Sequence, residues 1–372
     1  MSIRKNTLDL DSHYDLTKDG KNAYVGAPGL LFSWGGSLNP SGQLGQNNTI
    51  NVSSPVQIPG NTWSKISAGE KHSLATKTDN TLWSWGFGND GELGQNTTTQ
   101  FSSPVQIPGT TWSSISSGTG EHSLATKTDN TLWSWGQNNE GQLGLNDRIL
   151  RSSPVQIPGT TWSSISGGSQ HSLATKTDGT LWSWGTNGNG QLGQNDRIRR
   201  SSPIQIPGLT WSSISGGQAD SLATKIDGTL WSWGTNNNGR LGQNTTTQFS
   251  SPVQIPGTGW NAINASNHSL ATKTDNTLWA WGYNDDGQLG QNNRTQFSSP
   301  VQIPGTTWSS ISGSKDYSLA TKTDGTLWSW GYNNFGSLGQ NDTIRRSSPV
   351  QIPGTSWSSI SSYSHSLATQ LQ

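Results

Sequence analysis

The segment HSLATKTDGTLWSWGTNGNGQLG, residues 171–193, decides the fold of this 372-residue chain, because close copies of it recur along most of the sequence. Its central phrase LWSWG, or a one-residue variant of it, begins at Leu31, Leu82, Leu132, Leu181, Leu230, Leu278 and Leu327. Successive copies are 48 to 51 residues apart. A period of about 50 residues is typical of propellers and other repeat architectures, in which one unit cannot bury its apolar face alone.

Each unit contains four short segments rich in β-branched, aromatic and small polar residues, namely SSPVQIPG, WSSIS, HSLATKT and TLWSWG. This composition predicts four β-strands per unit. Asp-Gly or Asp-Asn pairs separate the last two segments and predict tight two-residue hairpins between antiparallel strands. These pairs begin at Asp79, Asp129, Asp178, Asp227, Asp275 and Asp324.

The two ends of the repeat array complement each other. The chain ends in HSLATQLQ (365–372) without a following LWSWG strand, whereas GLLFSWG (29–35) has no preceding HSLATKT strand. Pairing of about 30–35 with about 366–371 would complete a seventh blade and remove the exposed sheet edges. We therefore predict an all-β chain with a seven-bladed β-propeller of four-stranded antiparallel blades over residues 29–372.

Residues 1–28 precede the repeats and are polar with mixed charge. They are interpreted either as a disordered tail or as an N-terminal arm that folds on a partner. Neither a signal-peptide-like apolar run nor a later stretch of about 20 apolar residues is present, which predicts cytoplasmic synthesis and no membrane segment. The chain has no cysteine, and its 22 basic residues balance 22 acidic ones, which argues against disulfides and a dedicated nucleic-acid binder.

The phrases GQNNEGQLG (136–144) and GYNDDGQLG (282–290), together with GGSQHSLA (167–174), resemble the regulator of chromosome condensation repeat family. The resemblance covers roughly residues 30–372 and implies a seven-bladed propeller. Members of this family serve as exchange factors, ligase-associated modules, photoreceptors and structural proteins. The family's exchange factor engages a small GTPase with a protruding wedge, and the even repeat lengths here leave no room for one.

The residues able to do chemistry occupy repeat positions. Histidine recurs at one position in five units, which lie too far apart to share a zinc ion, and we expect these side chains to bond local backbone. All 20 tryptophans also recur and are assigned to the core and to contacts between blades. We therefore predict a protein that is not an enzyme and that has no cofactor, metal or small-molecule ligand.

Positions that differ between units are the candidates for partner binding, because binding usually lies in loops. Before SSP, two consecutive units carry Arg148, Arg151, Arg197, Arg199 and Arg200. Guanidinium groups bind carboxylate or phosphate oxygens in pairs, so this set is either an anion-binding patch or a solvated rim. A second set precedes the repeat histidine, and the resemblance places it on the face around the channel. It comprises Glu70, Lys71, Glu121, Lys315 and Asp316.

Three functions fit these observations. The first is a structural propeller that binds protein partners in a larger assembly, anchored by residues 1–28. Because such uniform repeats are similar to bacterial and phage propellers, a phage capsid or tail component or a surface-display protein is favoured. The alternative is a cytosolic regulatory adaptor or an exchange factor-like protein that binds a small GTPase. A carbohydrate-binding propeller is disfavoured because the tryptophans are assigned to packing.

Overall fold

The computed structural model describes residues 29–36 and 39–371, and the predicted arm at 1–28 lies outside the described residues. In the described ranges every regular element is a β-strand. These ranges contain no helix that is long and apolar enough to cross a membrane. The strands are β1 (Gly29–Gly35), β2 (Val52–Ala68), β3 (His72–Lys77), β4 (Leu82–Gly86), β5 (Phe101–Ile107), β6 (Trp112–Ser116), β7 (His122–Lys127), β8 (Leu132–Gly136), β9 (Arg151–Ile157), β10 (Trp162–Gly167), β11 (His171–Lys176), β12 (Leu181–Gly185), β13 (Arg200–Ile206), β14 (Trp211–Gly216), β15 (Asp220–Lys225), β16 (Leu230–Gly234), β17 (Phe249–Ile255), β18 (Trp260–Ala265), β19 (His268–Lys273), β20 (Leu278–Gly282), β21 (Phe297–Ile303), β22 (Trp308–Gly313), β23 (Tyr317–Lys322), β24 (Leu327–Gly331), β25 (Arg346–Ile352), β26 (Trp357–Ser362) and β27 (His365–Leu371).

These strands form seven four-stranded antiparallel blades, as the sequence predicts. Blades 2 to 6 are β6–β9, β10–β13, β14–β17, β18–β21 and β22–β25. The first strand of each blade contacts the first strands of its neighbours and therefore lines the central channel. The SSPVQI strand is outermost and pairs with the LWSWG strand before it, so the structural blade is offset by one strand from the sequence unit.

Both ends of the repeat array build blade 7, and this confirms the predicted closure. β1 pairs with β27 along its whole length, from Gly29 opposite Leu371 to Gly35 opposite His365. The first part of β2 pairs with β1, and its second part pairs with β3. Blade 7 thus takes β26 and β27 from the end of the array and β1 and residues 52–58 from its beginning, while the remainder of β2 opens blade 1.

The predicted antiparallel hairpins are present, but the predicted loop length of two residues is wrong. Lys77 and Thr81 flank a three-residue loop, in which the N–H of Asn80 donates to the carbonyl of Lys77 at 3.0 Å. Asn80 has a φ of 60°, a left-handed conformation that asparagine and glycine tolerate best. Asp79 fixes the loop, since its Oδ1 accepts from the N–H and the hydroxyl of Thr81 at 3.0 and 2.6 Å.

Tryptophan and leucine side chains fill the spaces between blades. Trp135 of blade 2, for example, packs with Leu82, Ile107 and Trp112, and its Nε1 donates to the carbonyl of Glu92 in the preceding loop at 2.8 Å. Fourteen tryptophans are buried in this way, as predicted. The first tryptophan of each LWSWG or LWAWG phrase is only half-buried. This group comprises Trp83, Trp133, Trp182, Trp231, Trp279 and Trp328.

Candidate functional site

The repeat histidines form a ring of buried hydrogen bonds between blades. Nε2 of His72 lies 2.9 Å from Oγ of Ser123 in the next blade, and the other four histidines make the same contact. The partners are therefore side chains of the neighbouring blade, and the expected bonding to local backbone is wrong. Among the described residues, no group of three or more His, Cys, Asp or Glu side chains is arranged to hold a metal ion.

Each serine fixes the proton on its histidine. The hydroxyl of Ser123 donates to the carbonyl of Glu92 at 2.9 Å, so its oxygen accepts from Nε2 of His72 and that nitrogen carries the proton. Burial lowers the pKa of these imidazoles to about 3 or 4, which keeps them neutral. These pairs are not catalytic dyads, because both side chains are fully buried and the serine proton points to a carbonyl.

Two blades replace the histidine with another buried contact. The hydroxyl of Tyr317 lies 2.9 Å from Oγ of Ser366. Asp220 faces Arg240, whose guanidinium Nη1 lies 3.5 Å from its Oδ1, and both side chains are almost completely buried. Burial raises the pKa of Asp220 to about 6, although Arg240 acts in the opposite direction. Arg240 stands where five other repeats have glutamine or glutamate, so the two departures compensate each other.

The loops that precede these residues lie at one end of the ring, here called the end face (residues 69–71, 117–121, 168–170, 217–219, 266–267, 314–316 and 363–364). The structure places Glu70, Lys71, Glu121, Lys315 and Asp316 on it. The longest of these loops reaches across two blades. Within it, the N–H of Thr119 donates to the carbonyl of Gly168 at 3.2 Å, and its hydroxyl donates to that of Gly217 at 3.3 Å.

One pocket of the end face is lined by side chains that differ from blade to blade. This end-face pocket lies where blades 6, 7 and 1 meet and has a volume of about 180 Å³. Its walls include three of the predicted candidates and three aromatic side chains that the sequence analysis did not select. The six residues are Glu70, Lys315, Asp316, Tyr332, Phe335 and Tyr363.

Hydrogen bonds and ring contacts hold the walls of this pocket in place. The rings of Tyr332 and Phe335 are 6.1 Å apart, and the guanidinium of Arg345 lies 4.8 Å above the Tyr332 ring. The carbonyl of Asp316 accepts from the N–H of Tyr332 at 2.9 Å. Burial raises the pKa of the Asp316 carboxyl. The pocket thus combines fixed aromatic surface with both signs of charge, which suits recognition of another molecule.

Lys71 and Glu121 lie outside this pocket and satisfy each other. Nζ of Lys71 lies 2.9 Å from Oε1 of Glu121, and Gln137 donates to the other carboxylate oxygen at 3.0 Å. Nearby, Glu92 is fully buried, and burial raises its pKa to about 8. This part of the end face therefore carries less free charge than its sequence indicates.

The five arginines do not form one patch of free guanidinium groups. Arg151 binds Asp147 at 2.6 Å, and Arg200 binds Asp196 at 2.7 Å, each four residues earlier in the chain. Arg199 binds Glu140 of the preceding blade at 2.9 Å. Two exposed side chains remain, which make no salt bridge or hydrogen bond with any residue that the structure describes. These are Arg148 and Arg197.

Comparison with known families and structures identifies the repeats. The family model of the RCC1-like domain matches residues 18–266, and that of the Regulator of chromosome condensation (RCC1) repeat matches residues 275–321 and 324–368. Among curated protein sequences, none matches the chain.

Solved structures agree in fold over nearly the whole chain. Yeast RCC1 (Prp20), solved with Kap60 bound, is 20% identical with a TM-score of 0.84 and covers 100% of this chain and 94% of its own. Prp20p from Saccharomyces cerevisiae is 20% identical with a TM-score of 0.83, covering 100% and 96%. Human WBSCR16 is 20% identical with a TM-score of 0.82, covering 92% and 99%.

Proposed function

Because this chain belongs to the RCC1 repeat family, we propose that it is a non-enzymatic propeller that binds a protein partner at its end-face pocket. One observation carries the proposal. The repeats are nearly identical, yet this pocket gathers aromatic and charged side chains from three separate blades. Most other blades have different residues at the equivalent positions. Structural duty is the same in every blade and does not account for such a gathering.

The chemistry of the pocket indicates what it binds. Tyr332, Phe335 and Tyr363 supply rigid aromatic surface, which is enriched at the energetic centres of protein interfaces. Lys315 and Asp316 supply charges at the rim of the same site. A partner that inserts an apolar side chain and meets these charges with its own polar groups satisfies this arrangement.

A regulatory adaptor or exchange factor-like protein is the second candidate, and the structural comparison favours it. The solved relative Prp20p was described together with its binding to Gsp1p and histones, and yeast RCC1 with its binding to Kap60. In this candidate, the partner at the end face is a small GTPase. The absence of room for a wedge between repeats 48 to 51 residues apart argues against it.

The narrower hypothesis, a phage virion component made in the cytoplasm and anchored in the particle by residues 1–28, rests on the uniformity of the repeats alone. This hypothesis proposes that the partner bound at the end face is part of a phage particle. It predicts that the partner is a capsid or tail protein and that deletion of residues 1–28 releases the propeller from the particle.

The test compares two double variants in a pull-down read by quantitative mass spectrometry. Tyr332→Ala/Phe335→Ala removes the aromatic wall, whereas Thr186→Ala/Asn189→Ala changes the equivalent positions of blade 3. We expect a specific partner to be lost with the first variant and retained with the second. Equal retention by both variants would remove the end-face pocket from consideration. Nucleotide release from a captured GTPase would select the second candidate.

A further inference from the structure

A second kind of site repeats around the outside of the propeller. In six blades a lysine ammonium lies between two indole rings. One ring belongs to the buried tryptophan that begins the first strand of the blade, and Nζ lies 4.5 to 4.9 Å from its centre. The other ring belongs to the half-buried tryptophan, and Nζ lies 4.0 to 4.8 Å from its centre. The triads are Trp63, Lys77 and Trp83; Trp112, Lys127 and Trp133; Trp162, Lys176 and Trp182; Trp211, Lys225 and Trp231; Trp260, Lys273 and Trp279; and Trp308, Lys322 and Trp328.

The ammonium groups of these triads form no salt bridge with an acidic side chain in the described part of the chain. The six lysines are half-buried, and their Nζ atoms make no salt bridge or hydrogen bond to any group in the described part of the chain. The nearest acid in sequence, Asp79, interacts with Lys77 electrostatically but does not bond to it, and its Oδ1 accepts from Thr81. The indole faces attract the cation but offer no acceptor oxygen, so three N–H donors at each triad remain available to a ligand.

Three of the triads border a space between two blades, here called a rim pocket. The rim pockets at Trp63, Trp308 and Trp162 have volumes of about 340, 320 and 250 Å³. At the second of these, Trp328, Pro304 and Pro349 form apolar walls, while Asn292 adds a polar group. Aromatic and proline surface beside a few polar groups and one cation suits a small, partly apolar anion.

We propose that the rim pockets bind carboxylate-bearing sugar residues of an acidic polysaccharide, one residue per pocket. The apolar walls accept the C–H face of a pyranose ring, and the lysine pairs with its carboxylate. The number of triads favours a polymer, because a chain of identical sugars presents the same group to several similar sites, whereas a folded protein presents each surface once. Linked engagement strengthens weak single contacts. The half-buried tryptophans remove the objection that packing consumes every indole.

Blade 7 supplies a natural control. At the equivalent positions it has Phe32 beside Trp357, with ring centres 5.3 Å apart, and Gln370 instead of lysine. The amide of Gln370 donates to the carbonyl of Thr355 at 2.6 Å, so this position has neither a free cation nor a second indole. The fold therefore accepts glutamine in place of the lysine, and the seventh position is expected not to bind.

The experiment titrates the full chain with a mannuronate hexasaccharide and with long alginate, using calorimetry and tryptophan fluorescence. Maltohexaose serves as the neutral sugar and poly-glutamate as the acidic peptide. We expect about six equal sites for the hexasaccharide, by the triad count, and no signal with maltohexaose. Changing all six lysines to glutamine, as at Gln370, is expected to weaken alginate binding by about 100-fold or more, because multivalent contacts are lost together.

A gain-of-site variant keeps the test open if the six-lysine variant fails to fold. Phe32→Trp/Gln370→Lys should raise the number of hexasaccharide sites from six to seven. No binding of alginate by the wild-type chain would overturn the proposal, as would equal affinity for poly-glutamate or an unchanged number of sites in a folded gain-of-site variant. Tyr332→Ala/Phe335→Ala should leave alginate binding intact, so this proposal and the end-face proposal fail separately.

Discussion

Nε2 of His365 lies 2.6 Å from Oγ of Ser73, and this hydrogen bond joins the last strand of the chain to blade 1. The same contact recurs between other blades, where the bonded residues are about 50 positions apart, but here they are 292 positions apart. The histidine ring therefore continues across the seam at which the two ends of the repeat array meet.

Ser73→Ala tests this contact. It leaves the buried Nε2 proton of His365 without its acceptor, while the carbonyl of Gln43 still accepts from Nε1 of Trp85, so we expect the free energy of unfolding to fall by about 1 to 3 kcal/mol. Ser266→Ala is the control, because Oγ of Ser266 is buried without a hydrogen-bond partner in the described structure. Urea denaturation of both variants measures the difference. Equal losses would show that burial of a serine, and not its bonding, matters here.

The Asp220–Arg240 pair predicts a non-additive result. Arg240→Gln alone leaves Asp220 buried without its cation and should lower the free energy of unfolding by about 3 kcal/mol. Asp220→His/Arg240→Gln restores the residues of most other blades and lets an imidazole reach Ser269. We expect this double variant to be at least as stable as the wild type. A double variant as unstable as Arg240→Gln would contradict the inference that the two departures compensate each other.

The five neutral histidines predict loss of stability in acid. Their pKa lies at about 3 or 4 in the folded chain and at about 6.5 when unfolded, so the unfolded chain binds more protons as the pH falls below 6.5. Stability that is complete above this pH is lost towards pH 4, by about 1.4 kcal/mol per pH unit for each histidine. The carboxyl groups whose pKa values are raised oppose this trend but are fewer, namely Asp90, Glu92, Asp220 and Asp316.

Urea titrations between pH 7.5 and 5 measure this slope. His171→Tyr copies the Tyr317–Ser366 contact of blade 6 and should reduce the slope by about one proton, since tyrosine does not titrate in this range. A flat stability profile in the wild type would contradict the prediction.

Glu92 predicts the opposite pH dependence at one position. Burial raises its pKa to about 8 above an unfolded value of about 4.3, so the folded chain retains a proton that the unfolded chain has lost. Its contribution is present below pH 4.3 and disappears as the pH rises through 8. Glu92→Gln, the residue of most other repeats, should therefore stabilise the chain more at pH 8.5 than at pH 5. A gain that does not change with pH would mean that the carboxyl is already ionised when folded.

Replacement of Thr210 by glycine is expected to stabilise the folded chain. Its φ is 68°, which strains a β-branched residue, and blade 5 already has Gly259 with a φ of 77° at the same position. We expect Thr210→Gly to raise the free energy of unfolding by up to about 1 kcal/mol, the strain relieved minus the flexibility gained by the unfolded chain. Thr307→Gly is the matched control, because Thr307 is not among the residues with positive φ, and it should destabilise by about 0.5 to 1 kcal/mol. Thermal denaturation of both variants decides the point.

Periodicity predicted the architecture because every unit has the same packing requirement. The pairing of β1 with β27 followed from two incomplete units, each of which had what the other lacked. The predicted loop length was wrong because Asp-Asn and Asp-Gly occur in two- and three-residue loops alike, and the bonds that Thr81 donates to Asp79 select the longer one.

The candidate site was only partly predictable. The pairing of Arg151 with Asp147 was visible as opposite charges four residues apart, yet the exposure of Arg148 depends on how the loop folds. Tyr332 and Tyr363 are separated by the two strands β25 and β26, and only the closure of the ring brings them to one pocket with Glu70. Differences between repeats indicated which loops carry the candidate residues, but they did not indicate that loops of three blades meet at one pocket.

The shared blade also constrains how the protein is made. On the ribosome, β1 is synthesised before blades 1 to 6, but its partner β27 is synthesised after them. At 5 to 20 residues per second, this edge waits on the order of tens of seconds for its partner. During that time the growing chain is an open arc with an unpaired strand at its leading edge, vulnerable to pairing with another nascent copy. Pairing of β27 with β1 is therefore the step that converts an aggregation-prone arc into a protected ring.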